Sequence, residues 1–353
     1  AGHSLGHLVS RCETYGLVNI LQVAEFSAFE GRIANVRAFI QSCVELLLKE
    51  LHAEMASLGA SPHLGTFSDV SFEVSTIQER LPHNVDEEEP SDDHQKIAEV
   101  ASKFVSACDL LAHLSESTEL DPDTRNLFLS TVCAEEQARV FEATVHNLQS
   151  AYDTHIKGTS LEKQDPRLSQ LRGLGSAALH TLEAVTGLTH FVERHENQTR
   201  GHAAQKRLAR LIHRGEVQDR ILNKLLVSAH LLMEAGRPLA QDILPQYTDA
   251  RELVIQIPDE LMLHARPAAL IVGIVSKYGT AVELEVGGKT CNAGSILEVL
   301  VTVGSYPDVK TFTFRGDVAP LRDIALLFKN GLGEDGIENL PDELSYLGHS
   351  SRD

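Results

Sequence analysis

Ten apolar residues, Phe26, Phe29, Ile33, Val36, Ile40, Val44, Leu47, Leu51, Met55 and Leu58, follow one another at steps of three and four. That spacing commits the first part of the chain to a long amphipathic helix, ended by Gly59, whose apolar stripe needs other helices to cover it. The partners are legible further on. Ile97, Val100, Phe104, Cys108 and Leu111 predict a second helix behind Asp92 and Asp93. A third is expected after Asp121 and Pro122, running unbroken through Leu127, Phe128, Phe141, Val145, Leu148, Tyr152 and Ile156 to Gly158. A fourth starts near Pro166 and continues through Leu182 and Val185 past Gly173, Gly175 and Gly187, glycines that would permit close helix packing. Two more carry Leu208, Leu211, Ile221, Leu225 and Leu232 and stop before Gly236 and Pro238. Residues 1–248 therefore read as an all-α helical bundle, with no repeat of fixed period. A mobile acidic connection is expected near 60–93, where Pro62, Pro82, Pro90 and the run from Asp86 to Glu89 break the pattern. Val70, Phe72 and Val74 at its centre suit either a strand or a cover for the core.

After Pro245 the period changes from helical to alternating. Leu253–Ile257, Ala281–Val286, Lys289–Ala293 and Thr311–Arg315 read as short strands, with Gly287 and Gly288 at a hairpin turn. Helical spacing lies between them, from Pro267, from Ser295 to about Val303, and from about Val318 to Asn330. The fold class is thus multidomain: the helical bundle, then an α+β open-faced sandwich over 249–336. Residues 337–353, with Pro341 and many acidic groups, are expected to be a loosely held tail.

Charge excludes some functions. Fifty acidic against 31 basic residues give a formal net charge of −19, which repels nucleic acid and anionic lipid surfaces. The five cysteines are scattered without a C-x-x-C pair, as in a reduced, cytoplasmic setting, and the first residues carry no basic segment followed by an apolar secretory stretch. No apolar window is long enough to insert in a membrane. Of 17 histidines, 15 precede residue 250. His3 with His7 and His190 with His195 are the nearest pairs, but neither shows a third or fourth ligand, so no metal and no other cofactor is expected. His113, His146 and His180 on bundle helices are phosphorelay candidates weighed against the ordinary reading of solvated or core-edge histidines. Walker-type loops and G-x-S-x-G are absent from the sequence.

The chemistry concentrates in Leu263, His264, Ala265, Arg266, Pro267, Ala268 and Ala269, where a strand gives way to a helix. Proline near the first helical position costs no hydrogen bond. The helix N-terminus at Pro267 and Ala268 is expected to favour an anion beside His264 through its dipole and the free N–H groups of its first turn. A neutral imidazole is a competent nucleophile near neutral pH, and Arg266 offers a planar fork to phosphate oxygens. A histidine that carries a phosphoryl group is the expectation.

These residues, together with Gly288 to Leu297 (Gly-Lys-Thr-Cys-Asn-Ala-Gly-Ser-Ile-Leu), resemble the HPr family of phosphocarrier proteins of the sugar phosphotransferase system. The resemblance spans roughly Leu253 to Leu332. It implies that His264 is the phosphoacceptor and Arg266 stabilises the phosphoryl group. The donor it implies is an enzyme I-like, PEP-dependent kinase, and the acceptor a sugar-transport protein or regulatory target. Ser295 aligns with a serine that a dedicated kinase phosphorylates in many relatives, and Ile296, Leu297 and Leu300 with an apolar docking patch. By the same likeness the chain is a phosphoryl carrier rather than a stand-alone catalyst. Four features depart from the family pattern: Met262 replaces the usual glycine, Gly294 replaces a frequent basic residue, Glu298 puts an acid into the docking surface, and a helical region is fused in front. They favour altered partners, and the alternative they leave open is a non-transferring regulatory or scaffold protein whose HPr-like domain only binds.

Overall fold

Helix α1 (Val23–Ser57) follows the three-four stripe, but only its first half is covered: Phe26, Phe29, Ile33 and Val36 are buried, whereas Val44, Leu47, Leu48 and Leu51 remain exposed. The computed structural model describes residues 1–6, 8–60, 93–112, 120–195, 202–258, 261–334 and 336–348. The connection expected between 60 and 93, with Val70, Phe72 and Val74, and His113 lie outside the described residues. Helix α2 (Asp93–Ala112) occupies the second predicted segment.

The third predicted helix is two helices, α3 (Pro122–Thr131) and α4 (Glu135–His155). Asp121 caps α3, its carboxylate accepting from the N–H groups of Asp123 and Thr124. The break has a physical marker: the Glu193 carboxylate accepts from the Glu135 N–H at 2.7 Å and so supplies a fresh start to α4. Helix α5 (Pro166–His190) keeps its glycines inside. At Gly173 a Cβ would meet the Tyr15 side chain at 2.5 Å, so a close approach requires glycine there. Helix α6 (His202–Leu211) follows. Beyond a π-helical stretch at Arg220–Leu226 comes α7 (Val227–Tyr247), which passes through Gly236, Pro238 and Pro245 instead of stopping. Each proline removes one backbone donor, a loss that the burial of Leu232, Met233, Ala240 and Ile243 along the same helix offsets.

The sheet domain consists of β1 (Ala250–Gln256), α8 (Ala265–Tyr278), β2 (Val282–Val286), β3 (Lys289–Asn292), α9 (Ile296–Ser305), β4 (Thr311–Asp317) and α10 (Val318–Lys329). All strand pairs are antiparallel, in the order β1-β4-β2-β3. Phe314 lies opposite both Leu253 and Leu284. Val282, Leu284 and Val286 are buried while Glu283 is exposed, the alternation of a sheet with one dry face. Side chains of the three helices fill that face, with Ile271, Ile274, Val299, Ile324 and Leu327 in one core with Phe312 and Phe314. Gly287 and Gly288, with φ of 61° and 81°, make the left-handed two-residue turn between β2 and β3. The C-terminal fold is therefore an α+β open-faced sandwich, preceded by a long helical region.

Two compact units emerge. One comprises Ala1–Pro90, Cys108–Ser150 and Leu168–Gly236; the other comprises Ser91–Ala107, Ala151–Arg167 and Arg237–Asp353. The sheet's unit thus includes helical stretches from before residue 248. Glu99 of α2 packs against the left-handed Gly279 that ends α8, where a Cβ would lie 2.6 Å from Glu99 Cγ.

The sequence reading of residues 337–353 as a loosely held tail is corrected over 337–348; residues 349–353 lie outside the described residues. Gly331–Gly333, Ile337–Asn339 and Asp342–Gly348 form short 3₁₀ turns, and Leu332, Leu344 and Leu347 are buried in the sheet domain's core. The Tyr346 and Tyr278 hydroxyls both donate to Oδ2 of buried Asp323, at 2.8 and 2.7 Å. Leu347 uses the space that Gly273 leaves on α8. Polar composition signalled a tail; three spaced leucines and one tyrosine anchor it.

Candidate functional site

His264 is the N-cap of α8, in extended backbone conformation, and its carbonyl accepts the Ala268 N–H at 3.0 Å to close the first turn. The helix starts at Ala265, two residues before the proline expected to open it. Pro267 still falls in the first turn, where its missing N–H breaks nothing. Since Ala268 N–H is used within the helix and Pro267 has none, the donors at the helix mouth come from Ala265 and Arg266. Both Pro267 and Ala268 are buried. They shape the first turn and do not themselves reach an anion.

The imidazole is held at both nitrogens. The Arg266 backbone N–H donates to Nδ1 at 3.4 Å, and Nε2 lies 2.7 Å from Glu334 Oε1. With a proton on Nε2 shared with the carboxylate, the Nδ1 lone pair faces the helix mouth. The histidine side chain is 52% exposed and that of Glu334 35%. Arg266 is exposed at the same helix end.

Nothing in the sequence pattern pointed to Glu334. It reaches the site because Gly331, Leu332 and Gly333 have φ of 64°, 59° and 72°, a left-handed run that turns the chain back after α10. Leucine pays a steric cost in that region, and Leu332 is fully buried, so packing holds the turn. The only available signal was the glycine pair flanking a leucine after a predicted helix end.

Beside the histidine lies a cavity of ≈ 240 Å³, lined on one side by Met262, Leu263 and His264 and on the other by Leu300, Val303 and Phe312. Lys310 Nζ donates to the Leu261 carbonyl at 3.0 Å and steadies the loop over it. Leu300 is half-buried here, while Ile296 and Leu297 are exposed, as are Met262 and Val301. These two were not foreseen as part of the apolar patch: Met262 was noted only as a departure, and Val301 falls one helical turn after Leu297.

Ser295 caps α9, its Oγ accepting from the Glu298 N–H at 3.4 Å. Glu298 in turn accepts from the Asn292 N–H at 3.0 Å, and Asn292 Oδ1 accepts from the Gly294 N–H at 2.8 Å. The acid at 298 is therefore built into the turn that precedes α9. The cysteines are unsuited to nucleophilic work: burial pushes the Cys12 and Cys133 thiols up to about 12, and Cys43 and Cys291 are raised by the same cause. Among the described residues no group of three His, Cys, Asp or Glu side chains is placed to hold a metal ion, and no helix is long and apolar enough to cross a membrane.

The order of strands and helices, the histidine at a helix mouth and the capped α9 set the frame for comparison with known proteins. Residues 252–317 match the family model described as the PTS HPr component phosphorylation site. The match runs from β1 to the end of β4 and takes in His264, Arg266 and Ser295, so this part of the chain is an HPr-type domain. Glu334 lies beyond the matched residues. No solved structure matches the chain.

Proposed function

We propose that His264 accepts a phosphoryl group on Nδ1 from an enzyme I-like, PEP-dependent kinase and passes it to a sugar-transport protein or a regulatory target. The reading rests on the HPr-type domain, which suggests a phosphocarrier of the phosphotransferase system. One observation carries it further: Glu334 takes Nε2 and leaves Nδ1 facing the N-terminus of α8.

In the step, the Nδ1 lone pair attacks phosphorus and the donor's bond to phosphorus breaks, its electron pair returning to the donor. The ring keeps its Nε2 proton, and the charge it gains is stabilised by Glu334. As Nδ1 bonds to phosphorus it gives up its hydrogen bond from the Arg266 N–H, which then turns to the phosphoryl oxygens together with the Ala265 N–H and the Arg266 guanidinium. Phosphoryl transfer asks little more of a protein than in-line positioning and fixed charge. Return of the group to an acceptor is the same step reversed, so the domain needs no cofactor of its own.

Met262, Ile296, Leu297, Leu300 and Val301 supply an apolar docking surface, and Glu298 gives it a fixed negative charge that favours a partner with a basic group opposite. Ser295 is the regulatory residue: a phosphate there adds charge beside Glu298 and repels an acidic partner. The experiment is incubation of the full chain with an enzyme I, PEP and the variant His264→Ala. Acid-labile phosphate on the His264 peptide, absent from the variant, supports a carrier, and onward transfer distinguishes a carrier from a regulator. A binding-only protein stays unlabelled at His264.

A further inference from the structure

The apolar stripe of α1 outlasts the helices that bury its first half. As far as Val36 it is core, but Val44, Leu47, Leu48, Leu51 and Leu58 are exposed, Leu51 to 54%. Single exposed leucines are ordinary on a protein surface, whereas a contiguous apolar run along one helix is a face that a partner covers.

Helix α6 lines one edge of this half. The two helices run antiparallel: Arg207 pairs with Glu50 and Glu54, and further on Arg220 lies over the Phe39 ring and Ser228 Oγ accepts from Arg32 Nε, so the later segment tracks α1 backwards. Between α1 and α6 is an apolar groove of ≈ 430 Å³ walled by Leu47, Leu51, Leu208 and Leu211. A two-helix layer with one apolar face is stable when a second layer packs against it.

Charge is divided between the two helices. From Val44 to Ser57, α1 has Glu45, Glu50 and Glu54 against Lys49, while α6 has Lys206, Arg207 and Arg210 and no acid. At about 100° per residue, Glu50 and Glu54 fall on the edge of the stripe beside α6, and Glu45 falls on the opposite edge. Glu45 accepts there from Gln41 Nε2 at 3.0 Å. Lys206 and Arg210 are exposed and form no ion pair among the described residues.

We propose that this face packs against the same face of a second copy, with α6 of each protomer lying along the far edge of its partner's α1. A two-fold axis then joins two layers into a four-helix arrangement in which Lys206 and Arg210 meet the partner's Glu45, and the same contact recurs by symmetry. Charge selects this pairing, since α1 beside α1 sets acid against acid and α6 beside α6 sets base against base. Val44 to Ser57 spans ~20 Å and two helices side by side another ~20 Å, so each copy contributes roughly 400 Å² of face. An interface of that size dissociates at micromolar concentration. The inference does not depend on the chemistry of His264, and its product is a particle carrying two HPr-type domains.

The test is sedimentation equilibrium of the full chain from about 1 to 200 µM, where a monomer–dimer equilibrium with a midpoint of the order of 10 µM is expected. Leu48→Glu and Leu51→Glu each raise the midpoint at least tenfold, with the circular dichroism of the native chain because both positions are exposed in the monomer. Glu45→Lys raises it about fivefold, as does Lys206→Glu combined with Arg210→Glu. All three changes in one chain restore the native midpoint, a rescue that unspecific apolar association does not give. A monomer up to about 200 µM, the outcome if another protein or the chain itself covers the face, would overturn the proposal. So would a dimer indifferent to Leu51→Glu, or a triple variant no tighter than its parents.

Discussion

Replacing Glu334 tests how the HPr-type site is poised. The carboxylate and imidazole are 2.7 Å apart but 35% and 52% exposed, so solvent screens them and the pair is worth the 0.2–1 kcal/mol or so of an exposed ion pair. Were the interaction complete only as the ring gains charge on phosphorylation, all of that energy would appear in the rate. Glu334→Ala then slows phosphorylation of His264 by about 1.5- to 5-fold. Glu334→Gln, which still accepts a hydrogen bond but carries no charge, falls between it and the native chain. Raising the salt from about 0.05 M to 0.5 M narrows the gap between Gln and the native residue, because only the charge is screened. The assay is single-turnover labelling by enzyme I and PEP, with unfolding by urea to show that stability moves by no more than about 0.5 kcal/mol. A rate unchanged in Glu334→Ala would refute the role of the carboxylate in setting the tautomer. A loss of a hundredfold would equally refute the reasoning, since a screened surface pair cannot supply it.

The remaining predictions reach different parts of the chain. Leu344→Ala destabilises the sheet domain by about 2–5 kcal/mol in urea unfolding, because it empties a fully buried position of the core; a loosely held tail would tolerate it. Leu297→Glu lowers the rate of labelling by enzyme I at least fivefold yet leaves labelling of His264 by phosphoramidate unchanged, separating docking from chemistry. Acid unfolding reports on Glu135, whose pKa is lowered from 4.5 to about 2 by His190, Arg139 and Arg194. A carboxylate lowered on folding contributes stability that is present above about pH 4.5 and lost as the pH falls towards 2, so Glu135→Gln flattens that limb of the stability curve.

Much of the fold was legible because burial imposes a period. The stripe from Phe26 to Val36 and the alternation of Val282, Leu284 and Val286 both record which side chains leave water, and both elements form as read, although α1 carries its stripe on past Val44 with the side chains exposed. The errors came where local signals compete with packing. Gly236 and Pro238 read as a stop, but neighbouring buried side chains carry α7 through them to Tyr247. The acidic, glycine-rich end read as a tail, although Leu344, Leu347 and Tyr346 are enough to fix it. The break between α3 and α4 was invisible because its cause, the Glu193 carboxylate at the Glu135 N–H, lies 58 residues away in sequence.

The site shows the same division. His264 and Arg266 are neighbours in sequence and share one helix mouth, so a motif reveals them. Glu334 is brought to the site from far along the chain by a left-handed turn, which no short spacing encodes. The ion pair of His190 with Glu135 was equally invisible, because the two residues lie on different helices, 55 positions apart in sequence.

The most direct test of the central claim is residue-level detection of phosphate after the full chain is incubated with an enzyme I and PEP. Phosphohistidine on Nδ1 of His264, lost in His264→Ala and dependent on PEP, is the predicted result. A His264 that stays unmodified while a stand-alone HPr protein in the same tube is labelled would contradict it.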